Sequence, residues 1–185
     1  FDASDQIFIT GETTSADFPA TAGAFDITYG GGGNDAFVAN LSAGATGLIY
    51  ATYLGGSNYD YARDIAINSA GEAYVVGTTG STNFPVVAGS YQTTPGIVAA
   101  WEEDAFITKL NSTGTGLVYS TYYGGIGLDG RDQGWGIALN LMDEAYVSGY
   151  AEADDLPGTA GNFQPAHAAG GVNDVFILHL NASGT

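Results

Sequence analysis

Two acidic segments of the chain, 58–64 and 129–133, carry side chains that could bind a hard cation. Ca²⁺ takes about six to eight oxygen ligands from carboxylates and carbonyls, and glycine-rich loops can offer both. Neither segment is an EF-hand loop, because the alternating acids and the distal glutamate are missing, and Arg131 would repel a cation. The alternative is a pair of turns with solvated acids. The candidate calcium ligands are Asp60, Asp64, Asp129 and Asp132.

A second group of side chains could act on or bind sugars. The neighbouring acids Glu102-Glu103 and Asp154-Asp155 could supply the carboxylate pair of a glycosidase, although adjacent loop acids more often form a solvated surface. The two tryptophans could stack on sugar rings or pack within an insertion. We expect no catalytic residue, since the chain has neither a G-x-S-x-G elbow nor a cysteine. The candidate binding residues are Trp101, Trp135, Glu102, Glu103, Asp154 and Asp155.

The net charge excludes several classes of partner. Three Lys and Arg residues stand against twenty Asp and Glu residues, which gives a net charge of −17. Nucleic acid is excluded because phosphate contacts need cations, and an anionic membrane surface is disfavoured for the same reason.

No apolar run approaches the roughly 20 residues of a membrane helix. Without cysteine there is no disulfide framework and no thiolate metal site.

Four blocks of sequence recur in the same order along the chain, with a period of about 70 residues. The glycines that end the first block are 66 and then 72 positions apart, and an aspartate opens the third block in every copy. A ligand or catalytic role would not need one aspartate per copy, so we expect these carboxylates to accept backbone N–H bonds from the adjoining loop. The structural repeat positions are Gly11, Gly77, Gly149, Asp35, Asp104 and Asp174.

Each block has the β-branched and aromatic composition of a short strand bounded by turn residues. In the complete middle copy we expect strands A to D at 64–67, 73–77, 104–110 and 117–123. A repeat unit of four antiparallel strands, complete in the middle copy, predicts an all-β fold of β-propeller blades, about two and a half blades of a larger propeller. The expected units are 1–60 (strands B-C-D), 61–125 (A-B-C-D) and 126–185 (A-B-C), which together form one partial propeller domain.

The segments 50–56, 66–77 and 104–111 carry a family resemblance. The pattern resembles the seven-bladed β-propeller repeat (SBBP repeat) of secreted bacterial and archaeal proteins, and the resemblance extends over essentially the whole chain. It departs from the pattern at an insertion around 98–101 and in a longer D–A loop at 125–137. The resemblance implies a propeller in an extracellular setting and no defined reaction or ligand.

Loop lengths indicate which face of the blades meets a partner. The B–C connections span 24 to 27 residues from glycine to aspartate, whereas the A–B and C–D turns are short. Long loops on a rigid scaffold are where binding usually resides. We therefore expect a protein or glycan ligand on the face formed by the B–C and D–A loops.

The chain starts and ends within a blade, since the first copy lacks strand A and the last lacks strand D. Both ends look like cuts through a longer polypeptide, and we expect the open edges to pair with its remaining blades or with neighbouring copies. The expected function is a non-catalytic module of a large extracellular or cell-surface protein, acting as a scaffold and interaction surface in adhesion, matrix or appendage assembly. It requires no cofactor, although Ca²⁺ could bind. The alternative is an extracellular carbohydrate-active enzyme that uses the long-loop carboxylates.

Overall fold

The computed structural model describes residues 2, 4–97, 99, 101–126, 130–158 and 174–185. Within them the chain is all β apart from one 3-10 turn at Ala43–Ala45, which confirms the predicted fold class. The strands are β1 (Ile7–Thr13), β2 (Asp35–Leu41), β3 (Leu48–Leu54), β4 (Asp60–Ile67), β5 (Ala73–Thr79), β6 (Asp104–Leu110), β7 (Leu117–Tyr123), β8 (Gln133–Leu139), β9 (Ala145–Ala151) and β10 (Asp174–Leu180).

The strands form three antiparallel sheets in which neighbours in sequence are neighbours in space. Blade 1 has the order β1-β2-β3, blade 2 the order β4-β5-β6-β7, and blade 3 the order β8-β9-β10. Strands β4 and β8 are therefore the A strands, and each lies at one edge of its sheet. The sheets do not close on themselves.

Two predicted strand boundaries in blade 2 were wrong. Strand β4 begins at Asp60 rather than at residue 64, and β5 continues to Thr79 rather than ending at Gly77. Aspartate is a residue type typical of loops, but the carboxylate of Asp60 is buried and accepts a hydrogen bond from the Thr79 hydroxyl at 2.5 Å. This side-chain hydrogen bond allows the pairing of β4 with β5 to extend past the apolar part of the strand. The predicted bounds of β6 and β7 are those observed.

Both faces of blade 2 are buried, which explains why its strands show little alternation of polar and apolar residues. Every residue of β6 is buried. Phe106 and Leu110 pack toward blade 1, while Ile107 packs toward blade 3. In β10, by contrast, buried Phe176 and Leu178 alternate with more exposed residues, because only the face toward blade 2 is covered.

Two apolar cores hold the blades together. The core between blades 1 and 2 is built on Val38, Tyr50 and Phe106, and the core between blades 2 and 3 on Ile107 and Tyr119. Strand β4 contacts both β1 and β8, whereas the outer strands β3 and β7, both wholly described, share no contact of comparable extent. The sheets thus converge at their A strands and diverge outward, as propeller blades do. The described residues include no helix of the length and apolarity needed to cross a membrane.

Ile107 and Ile177 occupy the same position in blades 2 and 3 and provide a test of this packing. Ile107 is fully buried, whereas 77% of Ile177 is exposed. We expect Ile107→Ala to lower the free energy of unfolding by about 2–5 kcal/mol, because it leaves a cavity in a packed core. Ile177→Ala should change it by about 0.5 kcal/mol or less. Chemical denaturation of this chain measures both, and equal costs would contradict the packing described.

Candidate functional site

A buried aspartate opens each of the C strands β2 and β6. The carboxylate of Asp35 accepts the backbone N–H of Gly30 at 2.6 Å, and that of Asp104 accepts the backbone N–H of Gly96 at 2.7 Å. Both side chains are almost completely buried. Asp174 opens β10 at the same position, but the loop before it, residues 159–173, lies outside the described residues. The hydrogen bond ties the end of the long B–C loop to the start of strand C.

A second buried aspartate closes each D–A loop. Oδ2 of Asp60 accepts the backbone N–H of Gly56 at 2.7 Å, and Oδ2 of Asp132 accepts that of Gly125 at 2.8 Å. Asp60 also accepts hydrogen bonds from the hydroxyls of two residues in its own blade, and Asp132 accepts two further backbone N–H groups. Neither residue is a solvated turn acid, because both are buried.

The remaining candidate calcium ligands lie apart from these two sites or outside the described residues. Asp64 accepts the backbone N–H of Ile137 at 2.9 Å and so joins β4 to β8 of the next blade. Asp129 is not among the described residues. In the part of the chain that the structure describes, no three acidic or histidine side chains gather around a point that could hold a metal ion. Calcium binding stays a prediction.

The two kinds of buried aspartate meet across a glycine at each blade junction. A Cβ placed on Gly55 would lie 2.9 Å from Cγ of Asp35 and 3.0 Å from Oδ2 of Asp60. Gly124 lies in the same way between Asp104 and Asp132. We call the pairs Asp35–Asp60 and Asp104–Asp132 the carboxylate latches. Beside each latch a backbone hydrogen bond joins the two blades, since the N–H of Asp60 donates to the carbonyl of Asn34 at 2.8 Å and that of Asp132 to the carbonyl of Glu103 at 2.7 Å.

The latches bind protons more tightly than ordinary carboxylates. Burial raises the pKa of Asp60 to about 6 and that of Asp104 to about 7, although hydrogen bonds to both carboxylates oppose the rise. Burial also raises the pKa of Asp35 and of Asp132. The negative charge of one member adds to the rise in the other, as Asp132 does for Asp104.

The repeat glycine of strand B faces a phenylalanine of strand C in every blade. The glycines are Gly11, Gly77 and Gly149. A Cβ on Gly77 would lie 2.7 Å from the ring of Phe106 and would overlap the backbone oxygen of Tyr61 on strand A. Glycine is required there because the neighbouring A strand is irregular and approaches too closely for a side chain.

That irregularity is a β-bulge, and it occurs in both A strands. In β4 the pairing with β5 skips Arg63, and in β8 the pairing with β9 skips Trp135. The two residues occupy equivalent positions, and both are exposed. Bulges re-aim a side chain and are frequent beside functional sites. Trp135, which the sequence places in or beside the long loops, therefore lies within a strand at the edge where the blades converge.

Arg63 and Trp135 form a continuous row with three tyrosines. The Arg63 guanidinium lies 5.0 Å from the centroid of the Tyr61 ring and 5.4 Å from that of Trp135. Tyr59 is parallel to Tyr61 with the centroids 6.2 Å apart, and Tyr150 lies 6.4 Å from Trp135. We call these five side chains the aromatic–arginine ladder.

Glu103 connects the ladder to the long loop of blade 2. Its Oε2 accepts the side-chain N–H of Gln133 at 2.5 Å, and its backbone pairs with that of Arg131. Burial raises the pKa of the Tyr61 and Tyr150 hydroxyls, and the charge of Glu103 adds to both shifts. The structure thus brings together two of the predicted binding residues, Trp135 and Glu103.

The other predicted binding residues lie elsewhere. Glu102 is buried and accepts the backbone N–H of Ala99 at 2.7 Å. Asp155 accepts the backbone N–H of Ile126 at 2.9 Å, and Asp154 is exposed beside it. Trp101 is exposed in the loop before β6, and within the described residues no ring contact joins it to the ladder.

Comparison with known protein families identifies the segment that carries this arrangement. Residues 49–85 match the family model of the SBBP β-propeller repeat. This segment is similar to an SBBP β-propeller repeat. The match covers β3, β4 and β5, so it extends across the junction between blades 1 and 2 and includes the Asp60 latch residue and the Arg63 bulge. No curated protein is similar enough to the chain to count as a match.

The carboxylate latches make the stability of the chain depend on pH. The pKa values of Asp60 and Asp104, about 6 and about 7, lie above the ordinary value of 3.8, so the folded chain binds more protons than the unfolded chain between these limits. This contribution to stability is fully present below pH 3.8 and is lost as the pH rises through about 6 to 7. We expect the free energy of unfolding to be higher at pH 5 than at pH 8.

Asp104→Asn isolates the part of this effect that one latch contributes. In this variant the free energy of unfolding should fall less between pH 5 and pH 8 than in the native chain, by on the order of 2 kcal/mol, because the amide does not titrate. Asp17→Asn, a substitution of an exposed acid, controls for the change in net charge. The free energy of unfolding of both variants is measured by denaturation across this pH range. If it depends on pH in the same way in both, Asp104 does not contribute to the pH dependence.

Proposed function

We propose that the chain is a non-catalytic β-propeller repeat module of a large extracellular or cell-surface protein. In this role it acts as a structural scaffold and as an interaction surface for proteins or glycans, in adhesion, in a matrix or in appendage assembly. The observation that carries the proposal is the outer face of blade 3, which has the side chains of a blade junction and no blade upon it among the described residues.

Equivalent residues on the outer faces of blades 2 and 3 differ in their exposure. In blade 2, Ala105 and Ile107 are fully buried beneath blade 3. The equivalent residues of blade 3, Val175 and Ile177, are 81% and 77% exposed. Tyr146, whose counterpart in blade 2 is buried, is also exposed. A contiguous apolar face of this kind marks an interaction site, and a further blade fits it because the same face of blade 2 already binds one.

The hydrogen bonds of the acidic side chains support a non-catalytic role. A glycosidase needs two carboxylates directed at a substrate. The acids at the blade junctions instead accept hydrogen bonds from their own loops, as Asp60, Asp104 and Asp132 do. A screen of polysaccharides for hydrolysis should detect no turnover, and turnover that depends on Glu103 or Asp154 would favour the carbohydrate-active enzyme instead.

The extracellular setting follows from the resemblance to SBBP repeats of secreted proteins. Surface labelling of intact cells that produce the parent protein tests it, because an extracellular module is accessible to a reagent that does not cross membranes. A parent protein that is labelled only after the cells are lysed would contradict this part of the proposal.

Blade addition tests the central part of the proposal directly. The turn Asn181–Thr185 has the same Asn-centred hydrogen bonds as Asn111–Thr115. A second copy of residues 116–185 placed after Thr185 therefore continues the repeat with one D strand and a further A-B-C set. We expect Ile177→Ala, nearly neutral in the present chain, to cost about 2–5 kcal/mol in the extended chain, because the new blade buries this position.

Ile107→Ala is the matched control, since its surroundings are the same in both chains. Its cost should not change on extension. If Ile177→Ala remains nearly neutral in the extended chain, the outer face of blade 3 does not accept a blade and the proposal fails.

A further inference from the structure

We infer that the aromatic–arginine ladder is a binding site for a neutral oligosaccharide. The inference deepens the proposed function, on which it rests, by naming the ligand class and the place on the module where it binds. It begins from a contrast among the aromatic residues of the chain. Several are buried in the two cores, as Tyr50, Tyr119 and Tyr122 are, but Trp135 and Tyr59 are 51% and 45% exposed.

The ladder has the surface chemistry of a sugar site. Aromatic rings offer flat apolar faces on which the C–H faces of pyranose rings stack, and their polar edges remain available for hydrogen bonds. Polar groups accompany the rings: the guanidinium of Arg63 lies within the ladder, and Gln133, which is hydrogen-bonded to Glu103, adjoins Trp135 in β8. A ligand site typically combines such apolar faces with a few placed polar groups, and these groups match the many hydroxyls of a sugar.

The extended form of the ladder favours an oligosaccharide over a single sugar. The five side chains follow one another from the D–A loop at Tyr59 to strand β9 at Tyr150, with each ring or guanidinium in contact with the next. A row that crosses two blades can contact several consecutive sugar rings. A compact ligand would use only part of it.

Charge indicates that the sugar is neutral. With a net charge of −17, the chain repels polyanions such as uronate-rich or sulfated glycans. Glu103 and Glu12 add negative potential beside Tyr61. A cationic ligand is disfavoured for a different reason, since the positive charge of Arg63 in the middle of the ladder would repel it.

The backbone holds the ladder in place before any ligand arrives. Arg63 and Trp135 are the bulged residues of two strands, and the Asp64 carboxylate joins these strands through the N–H of Ile137 at 2.9 Å. The stacking of Arg63 between two rings also restricts its rotamers. Preorganisation of this kind lowers the entropy lost on binding.

An array of neutral and acidic oligosaccharides tests the inference, with Trp135→Ala and Trp101→Ala as a matched pair. Both tryptophans are about half exposed, at 51% and 52%, but only Trp135 belongs to the ladder. We expect the native chain to bind one or more neutral oligosaccharides, Trp135→Ala to weaken that binding by at least about tenfold, and Trp101→Ala to leave it unchanged. Tyr59→Ala, at the other end of the ladder, should also weaken binding, and thermal melting confirms that each variant is folded.

The chain provides a direct spectroscopic readout, because it has two tryptophans and Trp101→Ala leaves Trp135 as the single indole. The emission of this variant should shift when the bound oligosaccharide is titrated. Binding of no neutral oligosaccharide, a preference for acidic ones, or binding that survives Trp135→Ala and is lost in Trp101→Ala would each overturn the inference. None of these results alters the blade-addition experiment, so the failure of the ladder site and the failure of the proposed module are distinguishable.

Discussion

The architecture depends on the need of each small sheet to bury two apolar faces. Blade 2 satisfies this need because blade 1 covers one side of it and blade 3 the other, and every residue of β6 is consequently buried. A pair of sheets could cover only one face of each, so the requirement propagates from blade to blade and is met when blades are arranged around an axis. The exposed Val175 and Ile177 show the same face where no described part of the chain covers it.

Apolar packing sets the stacking of the blades, whereas buried carboxylates set their junctions. Each latch places an aspartate from strand C of one blade beside an aspartate at or just before the start of strand A of the next, and loop N–H groups donate to both. Burial disfavours the ionised form of these carboxylates, and the charge of the neighbouring aspartate adds to the effect, so the pKa rises to about 6 for Asp60 and to about 7 for Asp104. The junction is thus held by directional hydrogen bonds and is sensitive to protons. It also fixes the A strands, whose bulges carry the aromatic–arginine ladder.

The sequence predicts most of the fold and less of the site, for identifiable reasons. Internal repetition predicts the strand order and the bounds of β6 and β7, because their apolar composition is unambiguous. It misses the start of β4, because Asp60 has the composition of a loop and its burial depends on donors from other segments. The equivalence of Asp60 and Asp132 is hidden by the longer second D–A loop and emerges only when the repeats are aligned from strand A. The residues next to Arg63 and Trp135 in the sequence do not indicate a bulge. The bulge is indicated instead by the glycine on the neighbouring strand B, which is far away in the sequence.

Amide hydrogen exchange at Val75 and Val147 tests the central claim most directly. These residues occupy the same position in β5 and β9, both are buried, and both strands are hydrogen-bonded on two sides, so they differ in whether the outer face of their sheet is covered. If covering both faces stabilises a blade, the Val75 amide should exchange more slowly than the Val147 amide by at least about tenfold, through opening of blade 3 alone. Equal protection at the two sites would show that hydrogen bonding within the sheet is sufficient, and it would contradict the claim that a blade needs cover on both faces.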